Sequence, residues 1–92
     1  MIKSFKSKAL AELWSTGRSS KVSPSLQKRV QVRLDRLDVA KDLSELSIPG
    51  FDFHALKGFA PTRYTIHVNG PWCITFEFDA GDVYRVDLEQ YH

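Results

Sequence analysis

The apolar residues of this chain change period partway along it, and that change fixes the class of fold. Up to about residue 40 they recur at intervals of three and four: Leu10, Leu13 and Trp14, then Leu26, Val30, Leu34 and Leu37. Such spacing lines one face of a helix. Beyond the break at Pro49-Gly50 they alternate instead, as Tyr64, Ile66 and Val68, then Trp72, Ile74, Phe76 and Phe78, then Tyr84, Val86 and Leu88. Alternation turns one strand face to a core and leaves the other polar. Helices followed by an unbroken series of strands imply an α+β fold, with two N-terminal helices packed on a twisted, mainly antiparallel sheet of four to five strands.

Local signals place the boundaries. The spacing predicts a short strand over residues 2–5 and a first helix over 8–16, stopped by Gly17. Ser23 is the expected N-cap of the second helix, with Pro24 at its first position, where the missing N–H costs nothing. That helix runs to about Ala40, and Arg29, Arg33 and Arg36 fall on a face away from the apolar stripe, as an expected exposed row. A helical turn is expected over 43–46 and strands over 51–57, 63–68, 72–78 and 83–89.

Opposed residues of an antiparallel pair point to one side of the sheet, so parity tests the turns. A loop of Asn69, Gly70 and Pro71 pairs Val68 with Trp72, Ile66 with Ile74 and Arg63 with Glu77. A loop of Ala80, Gly81 and Asp82 pairs Phe78 with Tyr84 and Glu77 with Arg85. Glu77 then lies between two arginines, which supports both registers. The polar face is expected to carry Arg63, Thr65, His67, Cys73, Thr75, Glu77, Arg85, Asp87, Glu89 and Tyr91.

Ninety-two residues suffice for one domain, spanning 1–92, with a modest core. No run approaches the ~18 apolar residues of a membrane span, and the opening lacks the apolar run of a signal peptide, so a cytoplasmic protein without a membrane partner is expected. The single cysteine, Cys73, forms no internal disulfide, and no paired spacing suggests a zinc site. No metal or cofactor is expected. Charge is lopsided: nine Lys/Arg against two acids up to Leu37 give +7, and four bases against nine acids thereafter give −5. A basic half of this kind suits a phosphate backbone. At the end of the last strand stand a phenol and an imidazole, Tyr91 and His92.

Taken in order, Met1-Ile2-Lys3-Ser4-Phe5-Lys6, Leu34-Asp35-Arg36-Leu37-Asp38, Phe53-His54-Ala55-Leu56-Lys57-Gly58, Trp72-Cys73-Ile74-Thr75-Phe76 and Tyr91-His92 resemble the HigB-type branch of the RelE-like bacterial toxins over essentially the whole chain. The resemblance implies a ribosome-dependent endoribonuclease that cuts mRNA in the decoding site, needs no cofactor, and pairs with a HigA-type helix-turn-helix antitoxin; the toxin alone is expected to be a monomer. The matching functional positions are His54, Lys57, Tyr91 and His92. His92 is expected as general acid or base, His54 as its counterpart or a phosphate ligand, Lys57 as a phosphate clamp and Tyr91 as a base-stacking or phosphate-binding ring. Arg18, Lys21, Arg29, Arg33, Arg36 and Arg63 are expected to hold RNA or the ribosome. On a regular strand His54 and Lys57 have opposite parity, so they share a site only where the strand ends before Gly58.

The chain departs from the family pattern at Cys73, where the family has an arginine, and at Gln90, where it has an acid. Losing a guanidinium from a phosphorane site costs ~3–4 kcal/mol of transition-state stabilisation. His67 and Arg63, sharing that face, are the available substitutes. A second reading is therefore a catalytically weakened binder of ribosome or antitoxin. A third, a cysteine hydrolase built on Cys73, His67 and Glu89, is opposed by the absence of any oxyanion-hole loop.

Overall fold

Two helices cover one face of a four-stranded antiparallel sheet of order β1-β2-β3-β4 in a computed structural model that describes residues 1–90. Helix α1, Lys8–Thr16, starts where the Ser7 hydroxyl accepts the Leu10 N–H and ends at Gly17, whose φ of 85° permits its N–H to bond Leu13 O at 2.9 Å. Helix α2, Pro24–Val39, has Pro24 in its first turn as expected. The expected Ser23 side-chain cap is corrected, because that hydroxyl meets Ser25 Oγ instead. The Gln27 amide bonds Ser19 O and Val22 O and so closes the entry to the helix. A 3-10 turn, Leu43–Leu46, is held by a reciprocal cap between Asp42 and Glu45. Hydrogen bonds from Ser44 hold the exposed Asp42 carboxyl below its usual range.

The strands are β1 His54–Leu56, β2 Arg63–Asn69, β3 Trp72–Asp79 and β4 Asp82–Gln90. The first is shorter than its pattern suggested. Phe51 leaves the strand path through a turn, with Asp52 at φ 45°, and buries its ring in the core. The opening segment is not a continuous strand either; Ile2 and Phe5 make isolated parallel bridges to Val83 and Val86 and cover the outer edge of β4. Leu10, Leu13, Leu26, Val30, Leu34 and Leu37 from the helices meet Ile66, Val68, Ile74, Phe76, Val83 and Val86 from the sheet.

Both hairpins close on two residues rather than three, and a bulge in each absorbs the difference. Asn69, not Val68, pairs with Trp72, with the irregularity between His67 and Asn69. Across the second hairpin Asp79 pairs with Asp82, Phe78 with Val83 and Glu77 with Tyr84, and the register shifts between Thr75 and Glu77. The expected pairs Val68–Trp72, Phe78–Tyr84 and Glu77–Arg85 are therefore corrected. The extra residue in β4 lets Val83 and Val86, three apart, both reach the core, while Tyr84 joins the opposite face. Arg85 sits in the bulge at φ 53°. Ile66–Ile74 and Arg63–Glu77 stand as read from the sequence.

The exposed arginine row on α2 is corrected as well. Arg29 and Arg36 are exposed, but Arg33 is 9% exposed. Its Nε donates to His67 O at 2.6 Å, Nη1 to Arg29 O at 3.2 Å, and its guanidinium lies 4.7 Å from the centre of the Phe51 ring. Burial, and then the charge of Arg29, lower its pKa. Arg33 thus fastens α2 to β2 and to the turn before β1. Equilibrium urea unfolding checks this: Arg33→Ala should lose about 2–3 kcal/mol through the charged hydrogen bonds and the ring contact, whereas Arg36→Ala should change stability by less than ~0.5 kcal/mol.

Candidate active site on the outer sheet face

The register of the four strands gathers the polar residues of the outer face into rows. His54 stands beside Thr65, Thr75 and Asp87; Leu56 beside Arg63, Glu77 and Tyr84; His67 beside Cys73 and Glu89. Much of this face is not open to water, for Thr65, Cys73 and Thr75 are 0%, 3% and 2% exposed. Two adjoining clefts cross it. One, of about 400 Å³, is lined by Lys6, Arg63, Glu77, Arg85, Glu89 and the 59–61 loop. The other, of about 180 Å³, is lined by Leu56, Thr65, Cys73, Thr75 and Gln90; Phe59 and Glu89 border both.

Arg63 is the centre of this face. Its Nη1 donates to Glu77 Oε2 at 3.1 Å, and its Nη2 donates to Thr75 Oγ1 at 2.9 Å and to Arg85 O at 3.0 Å. Glu77 also takes the Arg85 Nε at 3.3 Å, so the carboxylate lies between two guanidinium groups, as the charge pattern indicated. The Thr75 hydroxyl, having accepted from Arg63, donates to Glu89. One guanidinium on β2 thereby orders groups on both β3 and β4, and the chain of bonds ends two residues before Tyr91. Tyr91 and His92 themselves lie outside the described residues.

The remaining expected site residues are distributed unevenly. His54 is exposed on the outer face, and its Nδ1 lies 2.8 Å from Asp52 O. Lys57 is exposed in the turn that follows β1, because the strand ends at Leu56, before Gly58. Neither borders the two clefts. Arg18, Lys21, Arg29 and Arg36 are exposed and belong to the helical half, whereas Arg33 and Arg63 are buried and spend their protons inside the protein. His67, a possible cation beside Cys73 by parity, has its Nε2 3.1 Å from Gly70 O. The smaller cleft has no Lys, Arg or His among its described lining residues. It does hold the Thr65 hydroxyl, a buried polar group with no hydrogen-bond partner among the described residues. Lys6 and Phe59 were not singled out from the sequence. No periodic pattern marks a lysine ahead of α1 or a ring in an irregular loop, and only the paired outer face shows that they border one cleft.

Among the described residues no group of three or more His, Cys, Asp or Glu side chains is gathered as a metal site would require, and no helix is long and apolar enough to cross a membrane. The model of the HigB-like toxins, described as the RelE-like toxin of type II toxin-antitoxin system HigB, matches residues 3–92. The sequence is 39% identical to a Proteus vulgaris protein named endoribonuclease HigB over 92 residues, which is all of both chains.

The network around Arg63 sets an expectation for stability. Arg63→Gln should lower the urea unfolding free energy by about 3 kcal/mol, since it removes the buried guanidinium that Glu77, Thr75 and the Arg85 carbonyl all accept from. Arg85→Gln, at a side chain 58% exposed, should cost less than ~1 kcal/mol.

Proposed function

We propose that this chain, which belongs to the HigB-like family of RelE-like toxins from type II toxin-antitoxin systems, is an endoribonuclease that cuts mRNA in the ribosomal decoding site. The main support is the match over its full length to a protein named as an endoribonuclease. The outer face adds a chemical reason, because its larger cleft brings the exposed cations Lys6 and Arg85 together.

Cleavage of this kind proceeds by attack of a ribose 2′-OH on the adjacent phosphate. A base takes the hydroxyl proton, an acid returns one to the leaving 5′-oxygen, and cationic donors stabilise the phosphorane. In our reading His92 and His54 share the proton transfers, Lys57 holds the phosphate and Tyr91 stacks on a base or binds phosphate. Imidazole suits the transfers because its ordinary pKa of about 6.5 lies close to working pH. His54 projects from the first row of the outer face. Lys57, one residue past the strand end, is released from the parity that would send it to the other side. The exposed cations Arg18, Lys21, Arg29 and Arg36 face ribosomal RNA in this reading. The family implies an antitoxin partner, for which we propose a helix-turn-helix protein.

One observation favours a second reading, a weakened enzyme that still binds. Cys73 occupies a wall of the smaller cleft, and neither Arg63, whose guanidinium is buried and bonded to Glu77, Thr75 and the Arg85 carbonyl, nor His67, which lies against the turn, supplies the missing guanidinium.

Primer extension on programmed ribosomes tests both. His54→Ala and deletion of His92 should each reduce mRNA cleavage by at least ~100-fold, and cleavage at the wild-type rate by either would remove the assignment. Cys73→Arg should raise the cleavage rate by roughly 100-fold if the enzyme is weakened there; an unchanged rate discards that reading.

A further inference from the structure

Phe59 is 52% exposed, an unusual position for a large apolar ring, and it borders both clefts of the outer face. On one side of it stand Lys6 and Arg85, both exposed. On the other lies the Thr65 hydroxyl, fully buried and without a partner among the described residues. We propose that Phe59, Lys6, Arg85 and Thr65 form a subsite for one unpaired RNA nucleotide next to the bond that is cut. Its base lies on Phe59 with an edge toward Thr65, and its phosphate is held by Lys6 and Arg85. The proposal rests on the endoribonuclease reading above and adds a place for a flanking nucleotide, outside the groups assigned to the chemical step.

A solvent-facing aromatic ring with cations on one side of it is an arrangement by which proteins hold single-stranded RNA, since every base offers a π-face and every nucleotide a phosphate. The smaller cleft, about 180 Å³, falls below the roughly 300 Å³ of sites for drug-sized molecules and suits a single ring system. Leaving a buried hydroxyl unbonded is costly, and a base edge would satisfy it; as a hydroxyl both donates and accepts, it excludes no base. The Arg85 backbone is set before any ligand arrives, and the Nε edge of its guanidinium rests 3.3 Å from Glu77 Oε2. The backbone N–H donates to Ser4 Oγ at 2.9 Å, the carbonyl accepts from Arg63, and φ is held at 53°. Lys6 makes no ion pair among the described residues, and its N–H donates to Val86 O at 2.8 Å. The backbones of both cations are therefore fixed by the joint between the N-terminal segment and the β4 bulge.

The test measures cleavage of a defined mRNA on programmed ribosomes by the wild-type protein, Phe59→Ala, Phe59→Trp and the double variant Lys6→Gln/Arg85→Gln. Phe59→Ala should lower kcat/KM by roughly 10- to 100-fold, the range of losing one stacked base, and Phe59→Trp should restore most of it. The double variant should cut more slowly, with a shallower dependence on salt. An abasic nucleotide, scanned through the positions flanking the cut, should at one position cost the wild type as much as Phe59→Ala does and cost Phe59→Ala nothing more. Thermal melting establishes that the variants are folded. Cleavage by folded Phe59→Ala within about twofold of wild type overturns the subsite, as does a loss confined to antitoxin affinity, which would make this ridge a protein-docking surface. Should the wild type cut nothing, the endoribonuclease reading fails, and a short unpaired oligoribonucleotide, titrated by fluorescence anisotropy, then decides the subsite alone: equal affinity of wild type and Phe59→Ala overturns it.

Discussion

A guanidinium buried in a protein must find acceptors for its protons, and Arg63 finds them on three different residues of the sheet. Glu77 and Thr75 on β3 and the carbonyl of Arg85 on β4 all converge on its side chain, which reaches them from β2. Arg63 is 7% exposed, so each of these bonds is shielded from competing water and the cost of losing one is correspondingly high. The Arg85 carbonyl is available because the bulge in β4 turns it there. The bulge, in turn, brings Val83 and Val86 to the core and moves Tyr84 to the outside. A single polar demand is thus tied to the packing of the opposite face, and the outer face inherits a fixed shape.

The consequences reach the chemistry proposed for this member of the HigB-like toxins. The N-terminal segment docks beside the bulge through Ile2 and Phe5 and brings Lys6 to the same cleft as Arg85. Through Thr75, Arg63 also orders Glu89, near the end of β4. A cation used so fully for structure is a poor replacement for one that must meet a phosphorane, which separates this arginine from the position held here by Cys73. The same distinction applies to Arg33, whose charge is spent on His67 O and Phe51. Of the arginines read from the sequence as RNA-binding, the exposed ones remain free to meet a partner surface, and the two buried ones hold the fold.

The sequence disclosed the layers and the helices accurately because those depend on period. Leu26, Val30, Leu34 and Leu37 are all buried, and both helices start at the residues the spacing indicated. The meander of β2, β3 and β4 was equally legible from alternation. Register was less so, and the reason is physical. Glu77 does sit between Arg63 and Arg85, but a long arginine side chain spans a displacement of one residue, so the ion pair fits the bulged register as well as the regular one. Parity assumes an unbroken pleat, which the bulges violate. The burial of Arg33 was hidden for a related reason: its aliphatic stem tolerates an apolar setting, and its ring partner Phe51 is far away in sequence. For the site, the family pattern indicated His54 and Lys57, whereas the cleft bordered by Lys6 and Phe59 arises from loops whose meeting no local signal encodes.

The central claim is that the outer face of the sheet, and not the basic helical half, receives the RNA strand that is cut. Amide chemical-shift mapping of the isotopically labelled protein, titrated with a short oligoribonucleotide carrying 2′-deoxyribose at the cleavage position, tests it directly. The account predicts the largest shifts at Thr65, Cys73, Thr75, Arg85 and Glu89, with little change along the exposed side of α2. Shifts confined to α2 around Arg29 and Arg36, with those sheet amides unmoved, would contradict it.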